Sequence, residues 1–218
     1  MENLKVLIFD FDGVIFDSES LHLQAFNEVL KNHDITISEE DYYKNFISFD
    51  DKGVFEKLID DKQTVDQLIK DKNNFFEKYS IDNGLLFDGV SELIEKLSSK
   101  YILCIGSGAK RSEIISILKK FNLESFFEVI ISADDVNYSK PNPETFQKVI
   151  DILNESENIR AIDCLVIEDT PGGIMAAKSA DMYCASITNT FDESLLKDAD
   201  FIFNSYHEIE DFLLLDID

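Results

Sequence analysis

Positive charge is what this chain has least of: 20 Lys and Arg stand against 44 Asp and Glu, a formal net charge of -24. Such a surface repels the phosphate backbone of nucleic acids and the face of an anionic membrane, so neither is an expected partner. The same field opposes an approaching anionic metabolite, although surface charge is screened beyond roughly 8 Å at physiological ionic strength. Long apolar runs are missing too, which excludes a membrane-spanning helix, and MENLKVLIFD at the start lacks the basic flank, apolar segment and cleavage site of a signal peptide. A cytoplasmic, monomeric protein is the expectation. Cysteine is scarce: Cys104, Cys164 and Cys184 lie far apart, each in an apolar run. They read as buried hydrophobes in a reducing compartment, with neither disulfide nor zinc spacing. Repeats, low-complexity tracts and proline-rich linkers are absent.

What is present begins at Lys5–Ser18, KVLIFDFDGVIFDS. The apolar run Val6–Phe9 ends on Asp10, followed one residue later by Asp12 and then Gly13. Residues two apart on an extended backbone project to the same face, so Asp10 and Asp12 stand side by side where a strand finishes. Like charges so close resist joint ionisation unless a cation or a retained proton relieves them. The pair therefore predicts a metal, a division into base and acid, or both; the plainer alternative is Asp-Gly punctuation of a turn.

From Asp17 to about Asn83 the apolar spacing is helical, through Leu21, Ala25, Phe26, Val29 and Leu30, then Val54, Phe55, Leu58 and Ile59, then Leu68, Ile69, Phe75, Phe76 and Tyr79. Beyond Asn83-Gly84, strands and helices alternate. Strands are predicted at Tyr101–Ile105, Phe127–Ile131, Cys164–Ile167, Tyr183–Ile187 and Phe201–Phe203, with helical stripes between them. Alternation with fully apolar strands predicts an α/β fold: a Rossmann-like, three-layer parallel sheet core formed by residues 1–16 and 84–218, with an α-helical insertion over 17–83.

Ligands of open parallel sheets bind beyond the carboxyl ends of the strands. Asp10 and Asp12 follow the first strand, and Gly106-Ser107-Gly108 follows the second, with Ser107 expected at a helix start where free N–H groups favour an anion. After the third comes Ser139-Lys140-Pro141-Asn142-Pro143-Glu144, in which Asn142 caps a helix beginning at Pro143 and Lys140 waits in the loop. Glu168-Asp169-Thr170-Pro171-Gly172-Gly173 follows the fourth. Each has an ordinary reading as a cap or a solvated loop residue. Joint placement at one sheet edge argues for a site.

Asp10-Phe11-Asp12-Gly13-Val14, Ser107, Lys140 and Glu168-Asp169, in this order and spacing, resemble the four motifs of the haloacid dehalogenase (HAD) superfamily, and the resemblance spans the whole chain. Asp17-Ser18-Glu19 with His22, Ala25 and Phe26 is similar to the branch of sugar-phosphate phosphatases and β-phosphoglucomutase. The resemblance implies a helical cap over 17–83, Asp10 as the nucleophile that forms an aspartyl-phosphate, and Asp12 as acid and then base. It implies Mg²⁺ held by Asp10, the backbone carbonyl of Asp12 and Asp169, with Glu168 assisting. Lys140 would balance charge, and Ser107 and Gly108 would bind phosphate oxygens. The implied substrate is a small phosphorylated metabolite, and Asp12 favours phosphoryl transfer over dehalogenation.

Two alternatives stay open. A phosphosugar mutase of the β-phosphoglucomutase kind must hold a second phosphate at its cap, for which Arg is suited. Here the corresponding segment, Phe46-Ile47-Ser48-Phe49-Asp50-Asp51, has none, and residues 17–83 contain no Arg; Lys44 or Lys52 would have to supply the cation. Ser18 and His22 match both activities, and Lys52 is also a remote candidate for Schiff-base chemistry. The other alternative is a non-catalytic binding protein on the same scaffold. Phe46, Phe49 and Phe55 are expected to pack the insertion's own core.

Overall fold

The computed structural model describes residues 3–47, 49–155 and 157–214. Ser48, in the segment weighed for a second phosphate, lies outside them. Four apolar residues make β1 (Val6–Phe9), buried along its whole length. A strand with no polar face needs neighbours on both edges and cover on both sides, and β1 has them. The chain runs through β2 (Phe16–Asp17), α1 (Glu19–Leu30), α2 (Glu39–Asn45), α3 (Asp51–Leu58), α4 (Lys62–Asn83), β3 (Leu85–Leu86) and α5 (Val90–Leu97). Strands and helices then alternate: β4 (Ile102–Gly106), α6 (Arg111–Lys120), β5 (Phe127–Ile131), α7 (Glu144–Leu153), β6 (Cys164–Glu168), α8 (Pro171–Ser179), β7 (Tyr183–Ile187), β8 (Phe201–Phe203) and α9 (Tyr206–Leu214).

Six strands form one parallel sheet in the order β5-β4-β1-β6-β7-β8, while β2 and β3 make a separate two-stranded sheet. The chain divides into two compact units, residues 1–16 with 86–218 and residues 17–85. The sheet unit buries Val6, Ile8, Cys104, Val129, Phe146, Val166 and Ile174 in one core. All three cysteines are free and buried there, and burial pushes the Cys104 and Cys164 thiols up to about 12. No described helix is long and apolar enough to cross a membrane.

The helical unit has its own core of Phe26, Leu30, Ile37, Tyr42, Val54, Phe55, Val65 and Leu68. Ser38, Asp50 and Asp61 cap α2, α3 and α4 by accepting the N–H groups of Asp41, Gly53 and Thr64. Such caps satisfy donors that have no partner inside the helix and fix where each helix begins. Phe55 is fully buried and Phe46 packs against the core, but Phe49 departs from expectation. It is 47% exposed, with the Lys57 ammonium 3.7 Å from its ring centre. Its position just before the Asp50 cap turns it away from the helical stripe that buries Phe55.

Candidate active site

Register sets three of the strand ends level. Phe9, the last residue of β1, is paired with Ile105 of β4 on one side and Ile167 of β6 on the other. Asp10, Gly106-Ser107 and Glu168-Asp169 therefore leave the sheet together, at the point where strand order runs away from β1 in both directions. The Asp10 N–H still donates to the Ile167 carbonyl at 2.9 Å, which holds the residue extended. Asp12 follows, partly exposed, before a tight turn in which Ile15 and Phe16 both donate to the Phe11 carbonyl.

Lys140 is the fourth contributor. It lies in the loop after β5, and Glu144 pins that loop by accepting the backbone N–H groups of Asn137 and Tyr138 at 2.9 to 3.1 Å. Asn142 Oδ1 accepts the Glu144 N–H at 3.0 Å, but α7 starts at Glu144, one residue later than predicted, so Pro143 and not Asn142 stands at the cap position. The Lys140 ammonium is 3.0 Å from Asp10 Oδ1 and 2.6 Å from Glu168 Oε1. Glu168 Oε2 takes the N–H groups of Asp169 and Thr170 and the Thr170 hydroxyl, all at 3.0 Å. A buried carboxylate with this many donors is fixed in place.

Glycine makes room for the two acids on β6. A Cβ on Gly173 would sit 1.8 Å from the Glu168 carboxylate, and one on Gly13, whose φ is +74°, would sit 1.8 Å from Asp169 Oδ2. Asp10, Glu168 and Asp169 each offer an oxygen within 4.8 Å of the others, and all three are buried. Burial raises Asp10 to about 7, with Lys140 opposing and Glu168 and Asp12 adding to the rise. Asp169 is raised well above the carboxylate range by burial and then by Glu168 and Asp10. Burial lowers Lys140, but Asp10 and Glu168 more than offset it and leave the group firmly charged. Three carboxyls against one ammonium call for further positive charge. The donors are all oxygens, and Asp169 Oδ1 is buried without a hydrogen-bond partner, so the cluster fits a hard divalent cation such as Mg²⁺.

Ser107 is 1% exposed; its N–H donates to the Ile131 carbonyl and its Oγ accepts the Ala109 N–H at 3.1 Å. The adjoining helix differs from expectation. It starts at Arg111, so Ser107 and Gly108 occupy a loop ahead of α6 rather than its first turn. Gly108 is exposed with open space where a Cβ would point.

The remaining candidates belong to the helical unit. Ser18 is fully buried at the head of α1, with an Oγ that has no hydrogen-bond partner. Lys44 is exposed on α2, and Lys52 is exposed on α3 with Glu56 at 3.7 Å. His22 stacks on Phe76 at 4.1 Å, and its Nδ1 lies 2.9 Å from Lys72 Nζ. An ammonium can only donate, so Nδ1 accepts and Nε2 carries the proton. Burial, then the Lys72 charge, holds His22 well below its ordinary value and keeps it neutral.

Sequence reasoning misses Lys72, 2% exposed and paired with Asp51 at 2.7 Å. Its signal is a lysine between Leu68 and Phe76 on an i, i+4, i+8 row that is otherwise apolar. Also missed is Thr190, past the end of β7, whose hydroxyl donates to Asp169 Oδ2. The strand-end rule applied once more, to β7, points to the stretch Thr188-Asn189-Thr190 but does not single out Thr190.

Residues 7–187 match the haloacid dehalogenase-like hydrolase family. The chain is 26% identical over 211 residues to the validoxylamine A 7'-phosphate phosphatase of Streptomyces hygroscopicus subsp. limoneus, covering 94% of this chain and 95% of that protein. It is 29% identical over 181 residues to a phosphorylated carbohydrates phosphatase of Thermotoga maritima, covering 81% and 82%. A haloacid dehalogenase-like hydrolase structure from Streptococcus pneumoniae superposes with a TM-score of 0.85 at 19% identity, covering 97% of this chain and 99% of that one. With its motif residues gathered at one sheet edge and most of its length matched, the chain belongs to the haloacid dehalogenase-like hydrolases, alongside that family's phosphatases.

Proposed function

We propose that this protein is a Mg²⁺-dependent phosphatase that hydrolyses a small phosphorylated metabolite, a sugar phosphate or similar monoester, through an aspartyl-phosphate on Asp10. The reading rests on one observation: Lys140 bridges Asp10 and Glu168 at 3.0 and 2.6 Å beside the buried Asp169. An anionic nucleophile approaches an anionic ester only where fixed positive charge and donors await the phosphoryl oxygens. Asp10, the Asp12 backbone carbonyl and Asp169 would hold the metal, with Glu168 beside them. When bound, Mg²⁺ supplies charge neutralisation at the phosphoryl oxygens and favours the ionised carboxylates.

Lys140 works against burial to keep Asp10 ionised. A bond forms from the Asp10 carboxylate to phosphorus as the ester P–O bond breaks, and Asp12 gives its proton to the departing alkoxide. Asp12 then takes a proton from water, which attacks the same phosphorus and breaks the bond to Asp10. Ser107 Oγ already accepts the Ala109 N–H, so its hydroxyl proton is left to donate to a phosphate oxygen, with the Gly108 N–H beside it. Residues 17–83 act as the cap, where Ser18, His22, Lys44 and Lys52 bear on substrate choice. Turnover of p-nitrophenyl phosphate and a panel of sugar phosphates should require Mg²⁺ and fall on the order of 10⁴-fold in Asp10→Asn. Turnover within a few-fold of wild type in that variant would refute the reading.

A further inference from the structure

Asp169 treats its two carboxylate oxygens differently. Oδ2 accepts the Thr190 hydroxyl and lies against the Cα of Gly13, where a Cβ would approach it to 1.8 Å and Thr190 Oγ1 to 2.9 Å. Oδ1 is buried with no hydrogen-bond partner. The enclosing wall is itself tied down. Asn189 donates to the Gly13 carbonyl at 2.7 Å and to the Tyr206 hydroxyl at 2.8 Å, and Tyr206 donates to the Val14 carbonyl. The loop after β7 and the start of α9 thus hold the turn that follows Asp12 against one oxygen of Asp169 and leave the other free.

A carboxylate so clamped can offer a cation one oxygen but not two. That restriction separates the common divalent ions: Mg²⁺ takes six ligands in a tight octahedron at about 2.0–2.1 Å, whereas Ca²⁺ accepts 6–8 oxygens at about 2.3–2.6 Å and readily uses both oxygens of one carboxylate. We propose that Thr190 is a specificity-determining residue of the metal centre, holding Asp169 to one-oxygen ligation and so selecting Mg²⁺ against Ca²⁺. The proposal rests on the reading of the acidic cluster as a Mg²⁺ site. Thr190 does not touch the reacting atoms; it acts through Asp169 as a positioning residue.

Calorimetric titration of the full chain with MgCl₂ and with CaCl₂ tests it without recourse to turnover. Wild type should bind Mg²⁺, and Thr190→Val, which keeps the shape and removes the hydroxyl, should shift the ratio of Ca²⁺ to Mg²⁺ affinity toward Ca²⁺ by about tenfold, the effect of one hydrogen bond to a charged group. Thr190→Ser should restore the wild-type ratio, and Thr190→Ala should repeat the shift if the valine variant does not fold. An unchanged ratio in the variants without a hydroxyl, or the same shift in Thr190→Ser, overturns the proposal while the Mg²⁺ site stands. A wild-type chain that binds neither ion overturns the metal site and this proposal with it.

Discussion

Lys140 in the sheet unit and Lys72 in the helical unit are both withdrawn from solvent, with side chains 13% and 2% exposed. They are held in opposite ways. Lys140 stands on a loop between two carboxylates, with Asp10 at 3.0 Å, Glu168 at 2.6 Å and the Phe146 ring centre 4.7 Å away. Lys72 stands on a long helix between the faces of Phe26 and Phe76, at 4.8 and 5.2 Å, with the Asp51 carboxylate and a neutral imidazole in direct contact and the Glu19 charge nearby. Surplus acid surrounds the first, and aromatic surface surrounds the second. An ammonium in surplus acid neutralises charge that changes during a reaction, while one between rings is packed and charge-matched at rest. On the proposed reading the first lysine serves the chemistry, and the second fastens α1, α3 and α4 together.

Replacing each lysine sharpens the contrast. Lys140→Met should lower kcat/KM by about 10²–10³-fold, the usual loss when a group stabilising developing charge is removed. Its stability should change little, since Asp10, already raised to about 7, takes up a proton in place of the lost ammonium. Lys72→Met should do the reverse. Removing one partner of a buried pair costs about 3–5 kcal/mol when both ions are enclosed. Asp51 keeps 26% of its side chain in solvent, so about 2 kcal/mol is expected in urea unfolding, read as a lower midpoint at unchanged slope. A large kinetic loss at full stability in Lys72→Met would break the comparison.

The acid surplus has a smaller, pH-dependent signature. Asp10 has a folded value near 7 against 3.8 unfolded. The metal-free folded state therefore binds a proton that the unfolded chain lacks between those values. That stabilisation is complete below the unfolded value and is lost as pH rises through about 7, at most about 1.4 kcal/mol per pH unit for one proton. Asp169 is raised in the same direction. Without divalent cations the melting temperature should fall between about pH 6 and pH 8, and saturating Mg²⁺, which favours the ionised forms, should abolish the fall. Mg²⁺ binding near pH 6 should release protons, measured as a dependence of the calorimetric enthalpy on the buffer. No such dependence would mean that the carboxyls are ionised already.

The sheet is legible in the sequence because each strand is an apolar run that stops abruptly on polar residues, and parallel topology sends those stops to one edge. Asp10, Ser107, Lys140 and Glu168-Asp169 are visible for that reason. Thr190 is not, because a threonine in Thr188-Asn189-Thr190 carries no charge to mark it, and its partner Asp169 is 21 residues away. Lys72 is hidden for a different reason: a lysine in a helix is read as solvated, and only the three-dimensional pairing with Asp51 and His22 shows that it is enclosed. The helix start predicted at Ser107 falls instead at Arg111, since Ser107 turns back on the Ala109 N–H. Helix α9 goes unpredicted, yet its first residue, Tyr206, holds the turn after Asp12.

The most direct test of the central claim is to quench the enzyme in acid during turnover of p-nitrophenyl phosphate with Mg²⁺ and map the modified peptide by mass spectrometry. One phosphoryl group on Asp10, absent in Asp10→Asn, is the predicted result. Steady turnover with that peptide unmodified at every quench time, and full activity retained in Asp10→Asn, would contradict the account.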